Sequence, residues 1–498
     1  MHSMQTSTAV SRAPLKLFLT CWLIFVLHFA TDIVREHYLA FSLAERHSFS
    51  SEEYLGLHID IFELPGRGAF ISNNPGVSMF GAVPYAIFRP VIQRIVDVAN
   101  RGRGANVTAV YNDPRPRRVE FYRKIRERGL DIQFALAAAV MQAFFMAPLS
   151  AFAAVVMFGV LRWRGLTERR ALLYSFLYAL GTPVFFRTAY LNQNLFLAHL
   201  TFFAFVILWR SDSIPALRDH LSPFAAGALC GLGVLSDYSG VVPFAILAIY
   251  ACWNSWSRDG FAGAVRTAVW FGAGATGPIL LLLFYQWRAF GSPWYPAQHY
   301  MPAVTGIENG YRGLGWPSSE LLKMLLVDPR FGLFVTAPFL LLALAATWLR
   351  AKESLVDVRE RVVLFALAAS IVIFFSGVAY TRVEWVTGTR YVVPAVPALF
   401  LLTLVTLERL AAPLRFLIVV GAFTEAWCLS MVRAIYVHES IEHVFLGGFQ
   451  LPWMNVLVKM APQYFPWMVQ SSPLALFVLC AILIAGLWRW EPFKPHAN

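Results

Sequence analysis

Apolar runs follow one another along most of the chain, separated by short polar turns. Each is close to the roughly 20 residues that a helix needs to cross a bilayer. The pattern predicts spans near 15–31, 133–161, 171–189, 192–209, 223–237, 240–254, 267–287, 332–349, 362–380, 392–408, 414–433 and 473–488. The expected fold class is an all-α multi-pass membrane protein, a bundle of about 12 helices forming one domain over residues 1–498. Composition agrees: 58% of the residues are hydrophobic and 14% charged, against about 25% charged in an ordinary soluble domain.

Charge orients the bundle. With the N-terminus inside, every second loop is basic: Arg162, Arg164, Arg169 and Arg170; Arg210 and Arg218; Arg258 and Arg266; Arg350, Lys352, Arg359 and Arg361; Arg409 and Arg415; then Arg489 and Lys494. Basic loops stay on the cytoplasmic side, so both termini are expected there. The net charge of +12 is then explained by membrane orientation, and no nucleic-acid partner is expected. Arg12 and Lys16 precede the first apolar run and no A-x-A site follows it, which reads as an uncleaved signal anchor. The arginine-rich composition points to a bacterial inner membrane. The five cysteines lie in apolar runs without CxxC spacing and read as buried thiols.

Three outer loops are long: 32–132, 288–331 and 434–472. Long loops on one face of a membrane bundle indicate work done there. The first contains "GVSMFGAVPYAIFRPV", apolar but too short to span and interrupted by Pro84. Counting it as a span would put every later basic loop outside, so a re-entrant or interfacial helix is expected over 76–92. Residues 89–128 then carry eleven cations against four acids. That stretch is either a solvated surface near anionic headgroups or a dock for a phosphate-bearing substrate. One sequon, Asn106-Val107-Thr108, lies in the same loop.

The candidate chemistry gathers at the outer edge. Asp32, Arg35, Glu36 and His37 crowd the end of the first span. If that helix continues past the membrane surface, the spacing of four puts Asp32 and Glu36 on one face, and Arg35 is one turn from Asp32. Carboxylates at a bilayer edge are costly unless paired or facing water. Partial burial raises their pKa and suits them to general-base work. Asp60, Asn74, the Asn192-Gln193-Asn194 turn, His199, Arg330, Glu384 and Arg390 add polar groups on the same face, with Trp294, Trp316 and Trp385 as aromatic surfaces. His199 one turn into a span reads first as packing, and Arg330 and Arg390 either snorkel or hold a lipid phosphate. The chain has no Walker loop, HExxH, GxSxG or CxxC pair, so any active site is assembled from outer loops.

Several landmarks resemble the GT-C superfamily of membrane glycosyltransferases, in particular the branch of dolichyl-phosphate-mannose–protein mannosyltransferases and bacterial lipid-A aminoarabinose transferases. They are "REHYLAFSLAERHSF", "FISNNPGVSMFGAVPYAIF", "GTPVFFRTAYLNQNLFLAHLTFFAF", "FGSPWYPAQHY", "VDPRFGLFVTAPFLLLAL" and "GTRYVVPAVPALFLL", covering about residues 15–405. Two departures are visible. Asp32 and Glu36 are separated where many members have adjacent acids, and Asn74-Pro75-Gly76 stands where several have His-Pro-Pro.

The resemblance implies a GT-C-like bundle that takes a sugar from a polyprenyl-phosphate donor on the outer face. Glu36 or Asp32 would deprotonate the acceptor hydroxyl, and transfer would invert the anomeric centre. Arg330 and Arg390 would hold the phosphate, with Arg35, His37, Asp60, Asn74, His199 and Glu384 lining the substrates. No cofactor is required; a divalent metal, if used, would sit on Asp32 and Glu36. Expected partners are the donor lipid, membrane lipids and an acceptor that is a glycolipid, polysaccharide or protein. A transporter or lipid flippase is the main alternative, although no inverted repeat is visible. A polymerase or ligase using polyprenyl-diphosphate sugars is the second.

Overall fold

The computed structural model describes residues 12–101, 115–211, 219–302, 308, 310–349, 355–383, 387–464 and 472–489. The chain is a multi-pass integral membrane protein. Four described stretches are long and apolar enough to cross a bilayer: Asp131–Trp163, Gln193–Ser211, Tyr238–Phe290 and Ala412–Met431. Shorter apolar helices cover Ala13–Leu27, Leu221–Ser236, Val393–Leu407 and Leu474–Arg489.

The first helix, α1 (Ala13–Leu27), stops earlier than its apolar run suggests. At His28 the backbone amide and the imidazole Nδ1 both turn back to the Ile24 carbonyl, at 3.2 and 2.8 Å. The Ala30 amide then donates to Ala189 in another part of the bundle, at 2.8 Å. Residues 28–34 form a linker outside any helix, and α2 (Arg35–Arg46) begins after it. Asp32 therefore lies outside both helices, and the expected shared helical face with Glu36 does not exist.

The all-α expectation also needs one addition. "IFEL-PGR-GAFI" folds into an antiparallel pair, β1 (Ile61–Leu64) and β2 (Gly68–Ile71), with Ile61 opposite Ile71 and Leu64 opposite Gly68. Gly66 and Gly68 take the positive φ that the turn demands.

The outer-loop helix expected over 76–92 is longer, α3 (Gly76–Arg101), because buried Ile92, Val96 and Ala99 extend its inner face. Phe80, Val83, Ile87, Val91, Ile95 and Val98 form an exposed apolar stripe on the other face, the pattern of a helix lying along a membrane surface. Helix α4 (Pro116–Glu127) follows, then α5 (Asp131–Trp163). Within α5 one π-helical turn, Gln142–Met146, is met by α1: Trp22 donates to the Ala143 carbonyl at 2.8 Å and Gln142 to Phe25 at 2.9 Å.

Next come α6 (Glu168–Leu180), α7 (Gln193–Ser211) and α8 (Leu221–Ser236). The stretch Val241–Phe290 is two helices, α9 (241–259) and α10 (261–290), joined at Gly260 with φ 69° and ψ −159°. Ser255 and Thr267 hydroxyls meet at 2.6 Å across this joint, whereas a straight helix would hold residues twelve apart about 18 Å from each other. The chain reverses there, as the basic loop around Arg258 and Arg266 predicts.

The run near 332–349 is not one helix: the turns Leu333–Thr336, Pro338–Leu341 and Leu342–Ala345 follow each other around Pro338, whose ring lacks the N–H that a helix needs. The remaining elements are α11 (Ser319–Val327), α12 (Val358–Ser376), α13 (Val396–Leu407), α14 (Ala412–Met431), α15 (Val437–Gly447), α16 (Pro452–Tyr464) and α17 (Leu474–Arg489).

A polar staple fixes α2 and α3 to α5. Glu45 at the end of α2 accepts from Tyr54, from Tyr85 of α3 and from Gln133 of α5. Truncating it leaves buried Tyr54 and Tyr85 and half-buried Gln133 without their shared acceptor. Glu45→Ala is expected to cost about 2–3 kcal/mol, read as a lowered Tm in a thermal scan of the purified protein. Glu45→Gln, which keeps an acceptor oxygen, should lose less.

Candidate functional site

The linker 28–34 partitions two recesses. Thr31 and Ile33 face one, against Tyr122, Asp131 and Phe134. Val34 faces another, which Glu36, Tyr190, Asn192, Gln193, Asn194 and Arg390 complete. The alternation is that of an extended chain, whose successive side chains point to opposite sides.

The separated acids go to different partners. Asp32 is clamped by two arginines from opposite ends of the chain, Arg118 of α4 and Arg433 just beyond α14. The Arg433 contact measures 2.6 Å. The Arg433 guanidinium also lies 5.1 Å from the Tyr190 ring centroid. Glu36 sits in the first turn of α2 and is 2% exposed. Its Oε1 is 3.7 Å from Arg35, while its Oε2 has no hydrogen-bond partner. Burial pushes its carboxyl above the ordinary range, against the pull of Arg35 and Arg390. Arg35 continues to Asp60 at 3.5 Å, so Asp60 supports Arg35 rather than lining the recess.

Arg390 reaches the recess from the segment before α13. No hydrogen bond or ion pair joins its guanidinium to another described residue; it lies 5.2 Å from the Tyr391 ring centroid. The seat beneath it is built by Arg187, 1% exposed. Arg187 donates to the carbonyls of Thr389 (2.6 Å), Thr387 (3.2 Å) and Gly388, and to the Tyr190 hydroxyl. Gly388 has φ 78°, and a Cβ there would meet the Phe186 ring at 2.9 Å. From the other side, Arg115 holds the Thr387 hydroxyl and the Ala434 carbonyl, both at 3.0 Å. Burial alone would raise the Tyr190 phenol, but Arg187, Arg433 and Arg390 outweigh it and hold its pKa below the ordinary value.

The turn before α7 supplies the remaining wall. Asn192 accepts from the Leu195 amide at 3.0 Å and caps the helix. Gln193 donates to Asp237 in the turn after α8, and Asp237 also accepts from the Ser239 amide at 2.8 Å.

The other sequence-predicted residues lie elsewhere or do other work. His37 is buried, and its Nδ1 accepts from the Val34 amide at 3.1 Å, closing the start of α2; burial holds the imidazole neutral, with its pKa lowered to about 3. Asn74 donates to the Val234 carbonyl at 2.8 Å and ties α3 to α8. His199 is buried within α7 against Ser150 at 2.9 Å. Arg330 bonds Asp328 through Nε and Nη2, both at 2.9 Å, and does not line the recess. Glu384, like Trp385 and the sequon at 106–108, lies outside the described residues.

A metal on Asp32 and Glu36 does not fit this arrangement. Arginines take both Asp32 oxygens, and among the described residues no group of three or more His, Cys, Asp or Glu side chains converges.

Reasoning from sequence missed Arg187, Arg433 and Asp237. Each is a charge at the end of an apolar run, in "VFFRTAY", "SMVRAIY" and "LSDYSG". That position is the available signal.

Residues 125–289 match the family model of dolichyl-phosphate-mannose-protein mannosyltransferase. The match covers about a third of the chain. Two solved structures are similar at low identity. One is the Archaeoglobus fulgidus oligosaccharyltransferase tethered to an acceptor peptide containing the NVT sequon, with TM-score 0.48 and 14% identity. The other is the oligosaccharyltransferase AglB of the same organism in complex with an inhibitory peptide and a dolichol-phosphate, with TM-score 0.43 and 13% identity. The likeness covers 98% and 97% of this chain but 61% of each of those, so the chain spans less than two thirds of their length. No curated protein matches the chain.

Proposed function

We propose that the protein is an integral membrane glycosyltransferase that moves a sugar from a polyprenyl-phosphate donor to an acceptor hydroxyl. The observation that carries this reading is one recess holding a buried carboxylate oxygen and a guanidinium, Glu36 Oε2 and Arg390, neither bonded to a described side chain. The family match over 125–289 supports it.

Glu36 takes the proton of the acceptor hydroxyl. The oxygen attacks the anomeric carbon from the face opposite the phosphate, the carbon–oxygen bond to phosphate breaks, and the configuration inverts. Arg390 meets the negative charge growing on the departing polyprenyl phosphate, which stabilises the transition state more than the ground state. Asp60 orients Arg35, and Arg187 positions Arg390. In this reading about 12 spans place both termini in the cytoplasm of a bacterial inner membrane and the recess on its outer face. The amphipathic α3 lies in the outer leaflet surface.

The test is release of polyprenyl phosphate by the purified protein in nanodiscs, given polyprenyl-phosphate sugars and an envelope acceptor fraction, with and without a divalent metal. Wild type should release the lipid. Asp32→Asn should retain turnover within about tenfold, because Asp32 lies outside the recess and asparagine keeps an oxygen that accepts from one of the two arginines. Loss of all turnover in Asp32→Asn with Glu36→Gln still active would reverse the assignment of the base. Silence of well-folded wild type with every donor would refute transfer from a phosphate carrier.

A further inference from the structure

Asn194 stands out among the buried polar groups. It is 0% exposed, it lines the recess, and neither its Nδ2 nor its Oδ1 has a hydrogen-bond partner. Its neighbours in the same turn are spoken for. Asn192 caps α7, and the Gln193 amide nitrogen is tied to Asp237, which leaves the buried Gln193 Oε1 without a partner too. A buried amide with both ends unsatisfied destabilises a fold, and an apolar side chain of the same shape would be tolerated better.

We infer that the Asn194 carboxamide is a specificity-determining contact that holds two neighbouring hydroxyls of the transferred sugar, in the same recess as Glu36 and Arg390. The inference rests on the sugar-transfer reading above and adds to it the kind of sugar. A carboxamide offers a donor and an acceptor side by side, and each of two adjacent hydroxyls can give one bond and take another. Glu36 Oε2, Gln193 Oε1 and Asn194 Oδ1 are all acceptors, so the group they receive must be rich in hydrogen-bond donors. A sugar ring with free hydroxyls meets this requirement.

The experiment compares wild type, Asn194→Leu and Asn194→Ala in nanodiscs. Polyprenyl-phosphate mannose, glucose and galactose are tested first, then the monodeoxy analogues of the donor that turns over fastest. Removing the carboxamide should lower donor kcat/KM by about 10- to 100-fold. In wild type one or two deoxy donors should suffer a similar penalty, and in Asn194→Leu that penalty should shrink to within about threefold. Ligand-free Asn194→Leu should melt at or above the wild-type temperature, which a merely structural asparagine would not allow.

Equal deoxy penalties in wild type and Asn194→Leu, with both variants melting lower, would show that internal water satisfies Asn194. That result overturns the inference while leaving transfer intact. The two failures are distinguishable, because failure of the transfer reading silences wild type itself with all three sugars.

Discussion

Glu36→Gln is expected to reduce polyprenyl phosphate release by about 10²–10⁴-fold, the range for removal of a positioned general base, while leaving the protein more stable at neutral pH. Both effects come from the same burial. The Glu36 carboxyl lies above its ordinary value of 4.5 because the recess desolvates the charged form more strongly than Arg35 and Arg390 recover it. Between that ordinary value and the raised one, the folded protein binds more protons than the unfolded chain, so stability falls as pH rises through this window. Glutamine carries no titratable proton and removes that loss. In wild type, kcat should fall as the pH drops through the raised pKa, because the protonated acid cannot accept the hydroxyl proton. Thermal melts and rate profiles over pH 4 to 8 check both signs. A variant that is inactive but melts lower than wild type at neutral pH would place Glu36 in the structural framework and leave the base to be found elsewhere.

Arg187→Met should cost about 3 kcal/mol of stability and lower turnover by more than about a hundredfold. The side chain has no exposed role at 1% accessibility. It supplies the donors for three consecutive carbonyls, Thr387, Gly388 and Thr389, and for Tyr190. Methionine fills much of the space but leaves those carbonyls bare and the Arg390 backbone unseated. Arg187→Lys should recover part of the stability and little of the activity, since an ammonium cannot reproduce the planar fork. The decisive comparison is Tm against kcat/KM. A variant with wild-type Tm and no turnover would indicate that Arg187 touches the substrate itself.

Much of this was legible in the linear pattern, because burial leaves a periodic trace. Apolar runs located α5, α7 and α14, and the basic turn marked the reversal at Gly260. The acidic stretch after α1 contained Glu36, and the charge before "YVVPAVPALF" was Arg390. What the pattern could not show was the course of the chain between apolar runs. Asp32 and Glu36 look alike as an i, i+4 pair, and only the exit of the chain from α1 at His28 separates them. His37 and Asn74 carry the same polar label as a ligand-binding group, yet each spends its polar atoms on backbone closure. Arg187 and Arg433 were hidden because an arginine at the end of a span ordinarily snorkels. Nothing local reveals that a guanidinium will turn inward to carbonyls two hundred residues away.

The clamp on Asp32 also has a timing. Asp32 and Arg433 are 401 residues apart, Leu27 and Trp453 are 426 apart, and Asp131 and Tyr464 are 333 apart. At about 5–20 residues per second, the ribosome needs roughly 20–80 s to bring Arg433 out after Asp32. Throughout that interval Asp32 is already synthesised while one of its two arginines is missing. Chains interrupted before α14 would hold every residue of the acidic stretch and still lack the Arg433 half of the clamp on Asp32. Arg433, Trp453 and Tyr464 thus tie the first part of the chain into the bundle only late in synthesis.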